Sequence, residues 1–504
     1  MPKRDLYAAI DLGSNSFHLV VARHEHGELR VIDQLKDMVR IAGGLNRQGQ
    51  LDPSTSEHAL ASLSRFRERI QGIPADHIRA VGTQTFRRLA QRDAFLTAAE
   101  KALGAPIEVI GGREEARLIY IGVCQGMANE GTPKLIIDVG GGSTEVVAGH
   151  GHTPSVLESL PMGCVGLTQK FFKDHDISAS RWARGRDKVM ADAQSLAAQI
   201  KTYPWQQAIG ASGTARALVA MADALHPTMP SGLTRERMSE IRERLIQAKR
   251  LDAIDLPGLS ERRRPVIAGG ALIIDGLMDA LSIDVLSASP FALREGLLYD
   301  LVARLAPDQG QDNPRQGTIE AMLDRYQCDR AQARRVRHWA LTGWDATATA
   351  WSLPAVSREL LAATCSVHEL GLAIAHEHYH LHSGYVLAHA DMPGFSQTEQ
   401  QVMATLARGQ RAKPHPGGLD LIPERLHETT LHLLMLMRLA VALARARNDD
   451  WPDRIEWRAD TRTLHLSLPD AWLKAHPLTH RDLLVEADQI KRLSLTLTIE
   501  TTTA

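Results

Sequence analysis

Cysteine is scarce: Cys124, Cys164, Cys328 and Cys365 are the only four in 504 residues, and their spacing matches no metal site. That excludes a disulfide-stapled scaffold and a cysteine-ligated zinc module, and it leaves reduced thiols that pack the core of a cytoplasmic protein. Net charge is also missing, with 58 Lys and Arg against 59 Asp and Glu. A balanced chain exerts no general pull on nucleic acid or an anionic membrane, so any polyanion must be met by a local basic patch. No apolar run reads as long enough to span a bilayer, and Met1-Pro2-Lys3-Arg4-Asp5 leads into a strand without the apolar centre of a signal peptide. Peripheral attachment to a membrane surface stays open. Low-complexity tracts are absent. So are the two common phosphate signatures, GxxxxGK[ST] and a GxGxxG between strand and helix. At 504 residues the chain is too long for one core, and length alone suggests three or four domains.

What the chain does contain is Asp138-Val-Gly-Gly-Gly-Ser-Thr-Glu145, set between two β-branched apolar runs that read as strands. Gly140, Gly141 and Gly142 are expected to take φ values that other residues resist, so that their N–H groups point inward as a nest for phosphate. Ser143 and Thr144 add hydroxyls, and Asp138 and Glu145 add carboxylates suited to a cation or a water between protein and phosphate. A plain hairpin tip is the alternative. A second stretch decides against it: Asp11-Leu-Gly-Ser-Asn-Ser-Phe-His18 repeats the strand–Asp–Gly-turn–strand pattern, offering Gly13, Ser14, Asn15 and Ser16. Two such loops facing across a cleft resemble the actin, sugar-kinase and chaperone ATPase superfamily.

In chain order, strands are expected at 6–10, 17–21 and 29–36, followed by a helix opened by Asp52-Pro53 with Leu60, Leu63, Phe66 and Ile70 at helical spacing. A strand at 78–82 ends in Thr83-Gln-Thr-Phe-Arg87, where Thr83 and Arg87 are candidate phosphate contacts. A helix at 93–103, a strand at 107–110 and Gly111-Gly-Arg-Glu-Glu115 complete an α/β domain over 1–124. The plan repeats over 125–307, with strands at 135–139, 145–149 and 156–160. A helix at about 180–203, a small-residue turn at 210–214, a helix from 265 through 281 and a strand at 285–288 follow. Residues 309–316 read as a polar linker. Beyond them, 315–446 reads as a helical domain and 447–504 as a small α+β end domain.

Six ordered motifs sharpen the resemblance: the two loops, Glu114-Glu-Ala-Arg-Leu118, Met162-Gly-Cys-Val165, Gly210-Ala-Ser-Gly-Thr214 and Leu293-Arg-Glu-Gly296. Together they resemble the exopolyphosphatase / guanosine pentaphosphate phosphohydrolase family, and His368-Glu-Leu-Gly371 with 382–395 resembles its long bacterial members. The resemblance implies a fold of two actin-like, ribonuclease-H-like α/β domains, then an all-helical HD-like domain and a small α+β domain. It implies hydrolysis of a terminal phosphoanhydride with release of orthophosphate. Glu115 would be the general base, Asp138 and Glu145 would be catalytic, and Asp138, Glu145 and Asp11 would hold Mg²⁺, with K⁺ a candidate activator. It also implies a homodimer. The bland reading of Glu114 and Glu115 is a pair of helix N-terminal charges. The 210–214 turn resembles an adenosine-binding turn, and on the residues alone a relic of the fold is the favoured reading.

His368-Glu369 stands where HD phosphohydrolases carry a His-Asp metal pair, and it reads as degenerate. His380 and His382 with Arg408 and Arg411 are candidates for a polyanion groove. Inorganic polyphosphate, hydrolysed processively, is the first expected substrate, with guanosine pentaphosphate (pppGpp) or activity on both the alternative; a sugar or acid kinase and a non-catalytic alarmone- or polyphosphate-binding regulator are the readings from other classes.

Overall fold

The computed structural model describes residues 5–25, 28–46, 48–90, 92–127, 131–305, 313–414 and 416–502. The chain folds as two compact units, Met1–Gln311 and Asp312–Ala504. The expected domain boundary at 307 and residues 309–312 of the expected linker lie outside the described residues. Residues 313–316 of that linker are not linker: the Asn313 side chain accepts from the N–H groups of Arg315 and Gln316 and caps the helix Pro314–Arg325.

The first unit repeats one topology. Strands β1 (Leu6–Leu12), β2 (Phe17–Glu25) and β3 (Glu28–Asp37) form an antiparallel meander, and β4 (Ile78–Gly82) and β5 (Ile107–Val109) add in parallel beyond β1, giving the order β3-β2-β1-β4-β5. The second sheet contains β6 (Lys134–Val139), β7 (Thr144–His150), β8 (Thr153–Leu160), β9 (Gln207–Gly210), β10 (Leu233–Thr234) and β11 (Val285–Ala288), in the order β10-β11-β9-β6-β7-β8. Strands β6, β7, β8, β9 and β11 thus play the parts of β1 to β5. Local signals explain the helices well. The Asp52 side chain accepts from Thr55 N–H with Pro53 at the first position of the helix Pro53–Ile70, and Leu63, Phe66 and Ile70 are buried.

Between the two sheets lies a separate apolar core built on the helices Gly112–Gly126 and Leu293–Leu305, joined by Ala9, Val20, Ile136 and Ile209 from the sheets. The last helix, which the sequence reading assigns to the second half, packs on Gly112–Gly126 and on β1. The two helices cross closely: a Cβ at Gly122 would run into the Ala292 carbonyl, and one at Gly296 into the Leu118 carbonyl.

In the second unit, residues 315–446 and 447–504 share one apolar core rather than two. It runs from Ile319 through Trp339 and Leu436 to Leu466, Leu483 and Leu497. The small sheet of β12 (Glu456–Ala459), β13 (Thr463–Pro469) and β14 (Thr496–Thr502) packs on it. Contrary to the sequence reading, one segment among the described residues, Glu424–Leu443, is long and apolar enough to cross a membrane by length and composition; it is mostly buried here, its helix His427–Leu443 lying within that core.

Candidate active site

The turns β1–β2 and β6–β7 have the same length, and their ends pair in the same way: Asp11 lies opposite His18, and Asp138 opposite Glu145. Each turn is tied down through its carbonyls. Arg40 and Ala42 N–H donate to Asn15 and Ser14, while Cys164 and Val165 N–H, at the start of the helix Cys164–Phe171, donate to Gly140 and Gly141. The two turns face each other so closely that a Cβ at Gly141 would stand 3.1 Å from that of Ser14. The reason for glycine differs from the expected one. None of Gly13, Gly140, Gly141 and Gly142 has positive φ. Space is tight instead: a Cβ at Gly13 would stand 3.0 Å from the Ser16 carbonyl oxygen and one at Gly140 3.1 Å from that of Ser143, and one at Gly142 would have to displace the Gln84 amide, whose Nε2 donates 3.0 Å to the Gly142 carbonyl. The Gly140 N–H is also spent within the turn, on the Ser143 carbonyl at 2.9 Å.

The cleft between the turns is lined by Asp11, Glu115, Asp138 and Glu145. Glu115 sits in the first turn of the helix Gly112–Gly126, 7% exposed. Burial raises its carboxyl above the usual range, and Arg87, whose Nη1 stands 3.1 Å from its Oε2, works against that. Burial pushes Asp11 and Asp138 up to about 7, with the Glu115 charge the next cause for both. Glu145 is raised well above its ordinary value by burial and then by Glu115 and Asp138, although Ser159 donates to it at 2.8 Å. Burial and mutual repulsion both penalise the ionised carboxylates of this cluster, and a divalent ion bound there would relieve both penalties. The Asp11 Oδ1 atom, buried with no hydrogen-bond partner, fits the same demand. Among the described residues no three His, Cys, Asp or Glu side chains stand close enough to enclose an ion alone. That suits an ion taking one or two carboxylates and completing its shell from water and phosphate.

Of the expected contacts, Gly13, Ser14, Asn15, Ser16, Thr83, Gly140, Gly141 and Ser143 line this cleft, and Arg87, Gly142 and Thr144 do not. Thr144 is fully buried, its hydroxyl donating 2.6 Å to the Met162 carbonyl. Arg87 is turned to Glu115 and, at 2.7 Å, to the Ile110 carbonyl, so it orients the carboxylate rather than facing the cleft.

The same cleft is also lined by cations that were not singled out in the sequence: Lys36, Arg216, Arg263 and Arg294. Burial and the three arginines lower Lys36 to about 8, and burial with Arg294, Lys36, Arg263 and Arg216 lowers His18 to about 3. These residues come from four separate stretches, and only Arg294 lies inside a quoted motif. Ser212 and Gly213 line the same cleft, so the 210–214 turn opens onto the β1–β2 and β6–β7 turns.

Among the described residues the second unit shows no comparable site. His368 is buried with its Nδ1 2.7 Å from the Cys365 carbonyl, and Glu369 pairs with Arg447. The side chain of Arg411 lies 5.5 Å over the Tyr379 ring, and His380 is buried beside it with Nδ1 lacking a partner. Burial, Arg411, His378, Arg438 and His382 together hold the His380 ring toward neutrality. Arg408 packs its stem against Gly384.

Residues 20–305 match the Ppx/GppA phosphatase family, and residues 315–487 match domain III of Ppx/GppA phosphatases. A guanosine-5'-triphosphate,3'-diphosphate pyrophosphatase of Pseudoalteromonas translucida is 36% identical over 499 residues, 99% of each chain. An exopolyphosphatase from Cytophaga hutchinsonii is 24% identical with a TM-score of 0.54, covering 59% of this chain and 98% of its own. The Aquifex aeolicus PPX-GPPA enzyme is 26% identical with a TM-score of 0.50, covering 58% of this chain and 98% of its own.

Proposed function

The chain belongs to the Ppx/GppA phosphatase family, and from that premise we propose that it removes the terminal 5'-phosphate of guanosine pentaphosphate by attack of water on the phosphoanhydride. The observation that carries the substrate is the single cleft in which the two phosphate loops, Glu115 and the Ser212–Gly213 turn stand together. A polyphosphate chain has no use for that turn, whereas a nucleoside does. The full-length relative, named for the nucleotide reaction, supports the same order. It reverses the order expected from the sequence.

Water is a poor nucleophile, and a carboxylate raised toward neutrality by burial is a stronger base than one in water. Glu115 meets that need, with Arg87 fixing its orientation. Phosphoryl transfer otherwise asks for positioning and charge neutralisation. The N–H groups of Gly141 and Ser143, the hydroxyls of Ser14 and Ser16, and Arg294 provide donors on the phosphate side. Mg²⁺, held by Asp138 and Glu145 with Asp11 in reach, would neutralise charge on the phosphoryl oxygens. Lys36, Arg216 and Arg263 face the rest of a highly anionic substrate.

Inorganic polyphosphate is the second reading, favoured by a cationic lining that recognises phosphate without regard to a base. Orthophosphate release from the two substrates side by side, with Mg²⁺ and with chelator, tests the order. Faster turnover of the nucleotide is expected. Stepwise release from polyphosphate alone would move the assignment to exopolyphosphatase with the mechanism unchanged, and release from neither would leave a binding protein.

A further inference from the structure

The two loops are alike in length and opposite in polarity. Counting from each aspartate, Ser16 corresponds to Ser143 and His18 to Glu145. In both, the serine bonds to the residue two places on. Ser143 bonds the Glu145 carboxylate, an acceptor, so its proton is used. In the first loop the Ser16 Oγ lies 2.8 Å from His18 Nε2, and the other ring nitrogen, Nδ1, lies 3.1 Å from Arg294 Nη1.

The donor inventory settles which nitrogen carries the proton. A guanidinium can only donate, so Nδ1 must accept from Arg294 and cannot hold a proton. A ring protonated on both nitrogens would set donor against donor and add a cation beside Arg294 on its helix, Lys36 on β3, Arg263 and Arg216. The neutral ring therefore carries its proton on Nε2 and donates it to Ser16 Oγ. Ser16 has accepted, and its own O–H is left to donate into the cleft that it lines.

We propose that His18 is a positioning residue for phosphate: a neutral ring, protonated at Nε2, that holds Arg294 with one nitrogen and turns the Ser16 hydroxyl toward the cleft with the other. At this position the first loop then offers the phosphate a hydroxyl proton, while the second has turned the equivalent proton of Ser143 to the Glu145 carboxylate. The roles are not interchangeable. The inference deepens the reading of the cleft as a phosphoanhydride site and rests on it.

The test uses binding, so that turnover does not enter. In a Glu115→Gln background, inorganic tripolyphosphate is titrated calorimetrically into the full chain. His18→Asn keeps an acceptor for Arg294 and loses the donor to Ser16, while His18→Gln keeps a donor at the Nε2 position and loses the acceptor. Each is expected to weaken binding about tenfold, and His18→Ala, which loses both, roughly a hundredfold, as for loss of one or two hydrogen bonds to charged groups. Unchanged affinity in all three overturns the role of His18 and leaves the phosphate cleft standing. No binding by the Glu115→Gln protein itself overturns the cleft reading and this inference with it. Independently of any variant that fails to fold, ¹⁵N chemical shifts of histidine-labelled wild type report the tautomer. A protonated Nδ1 on His18, identified by its loss in His18→Gln, overturns the proposal.

Discussion

Glu114 and Glu115 are adjacent in the chain and have opposite fates. Glu114 is held by Arg117 through two bonds of 2.7 and 2.8 Å, and Arg117 also reaches Asp300 at 2.6 Å, in a buried network that includes Arg79. Glu115 has one arginine and faces the cleft. Glu115→Gln is therefore expected to lower kcat by about 10²–10⁴-fold with little change in unfolding free energy. Glu114→Gln should instead cost about 3 kcal/mol in urea unfolding, because it leaves the buried Arg79 and Arg117 guanidinium groups to share the Asp300 carboxylate. The carboxylate cluster carries a pH signature of its own. Asp11 and Asp138 bind protons more tightly in the folded chain than in the unfolded one, so with divalent ions chelated their contribution to stability is intact below about pH 4 and is lost as pH rises to about 7. Asp138→Asn should then stabilise the chelated protein at pH 8 by at least about 1 kcal/mol and much less at pH 5, read from melting curves. Addition of Mg²⁺ should close the gap at pH 8. Both loop aspartates and Glu115 were legible in short motifs. Lys36, Arg216, Arg263 and the tie between His18 and Arg294, 276 residues apart, were not, because nothing local in a sequence marks which distant cation a fold will bring home.

Elements with strong local chemistry were legible. Strand alternation, the Asp52-Pro53 cap and the repeated hairpins all read correctly, since each is decided within a few residues. The helix Cys164–Phe171 was missed: eight residues are too few for a clear period, and its burial under Gly140 and Gly141 comes from tertiary contact. The glycine triplet was found for the wrong reason, as close approach rather than φ demands it. The crossing of Gly112–Gly126 with Leu293–Leu305 is the element-scale feature on which the site depends, because Glu115 rides on one helix and Arg294 on the other. Gly296→Ala has no room against the Leu118 carbonyl. It should cost about 1–3 kcal/mol of stability by overpacking and lower kcat/KM disproportionately by moving the two apart. Denaturation and kinetics on the same preparation check both.

For the whole molecule, every residue lining the cleft falls between Asp11 and Arg294, inside the first unit. A chain ending at residue 311 is expected to hydrolyse its shortest substrate with kcat/KM within about tenfold of the full protein, the spread allowed by about 1.4 kcal/mol. One ending at residue 292 should be inactive, because it lacks the helix that closes the core between the sheets. Steady-state kinetics on the two fragments separates these outcomes. The duplicated plan was visible from the sequence, while the sharing of one core by 315–446 and 447–504 was not; a composition break marks where a linker could lie, not where apolar faces part company.

The return of the last helix to the first sheet also sets a clock. Ribosomes extend a chain at about 5–20 residues per second, so Arg294 emerges roughly 15–60 s after the loop it must meet. Throughout that interval the nascent chain carries both glycine turns without one of the cations that line their cleft, and the cleft is whole only when nearly all of the first unit has been made.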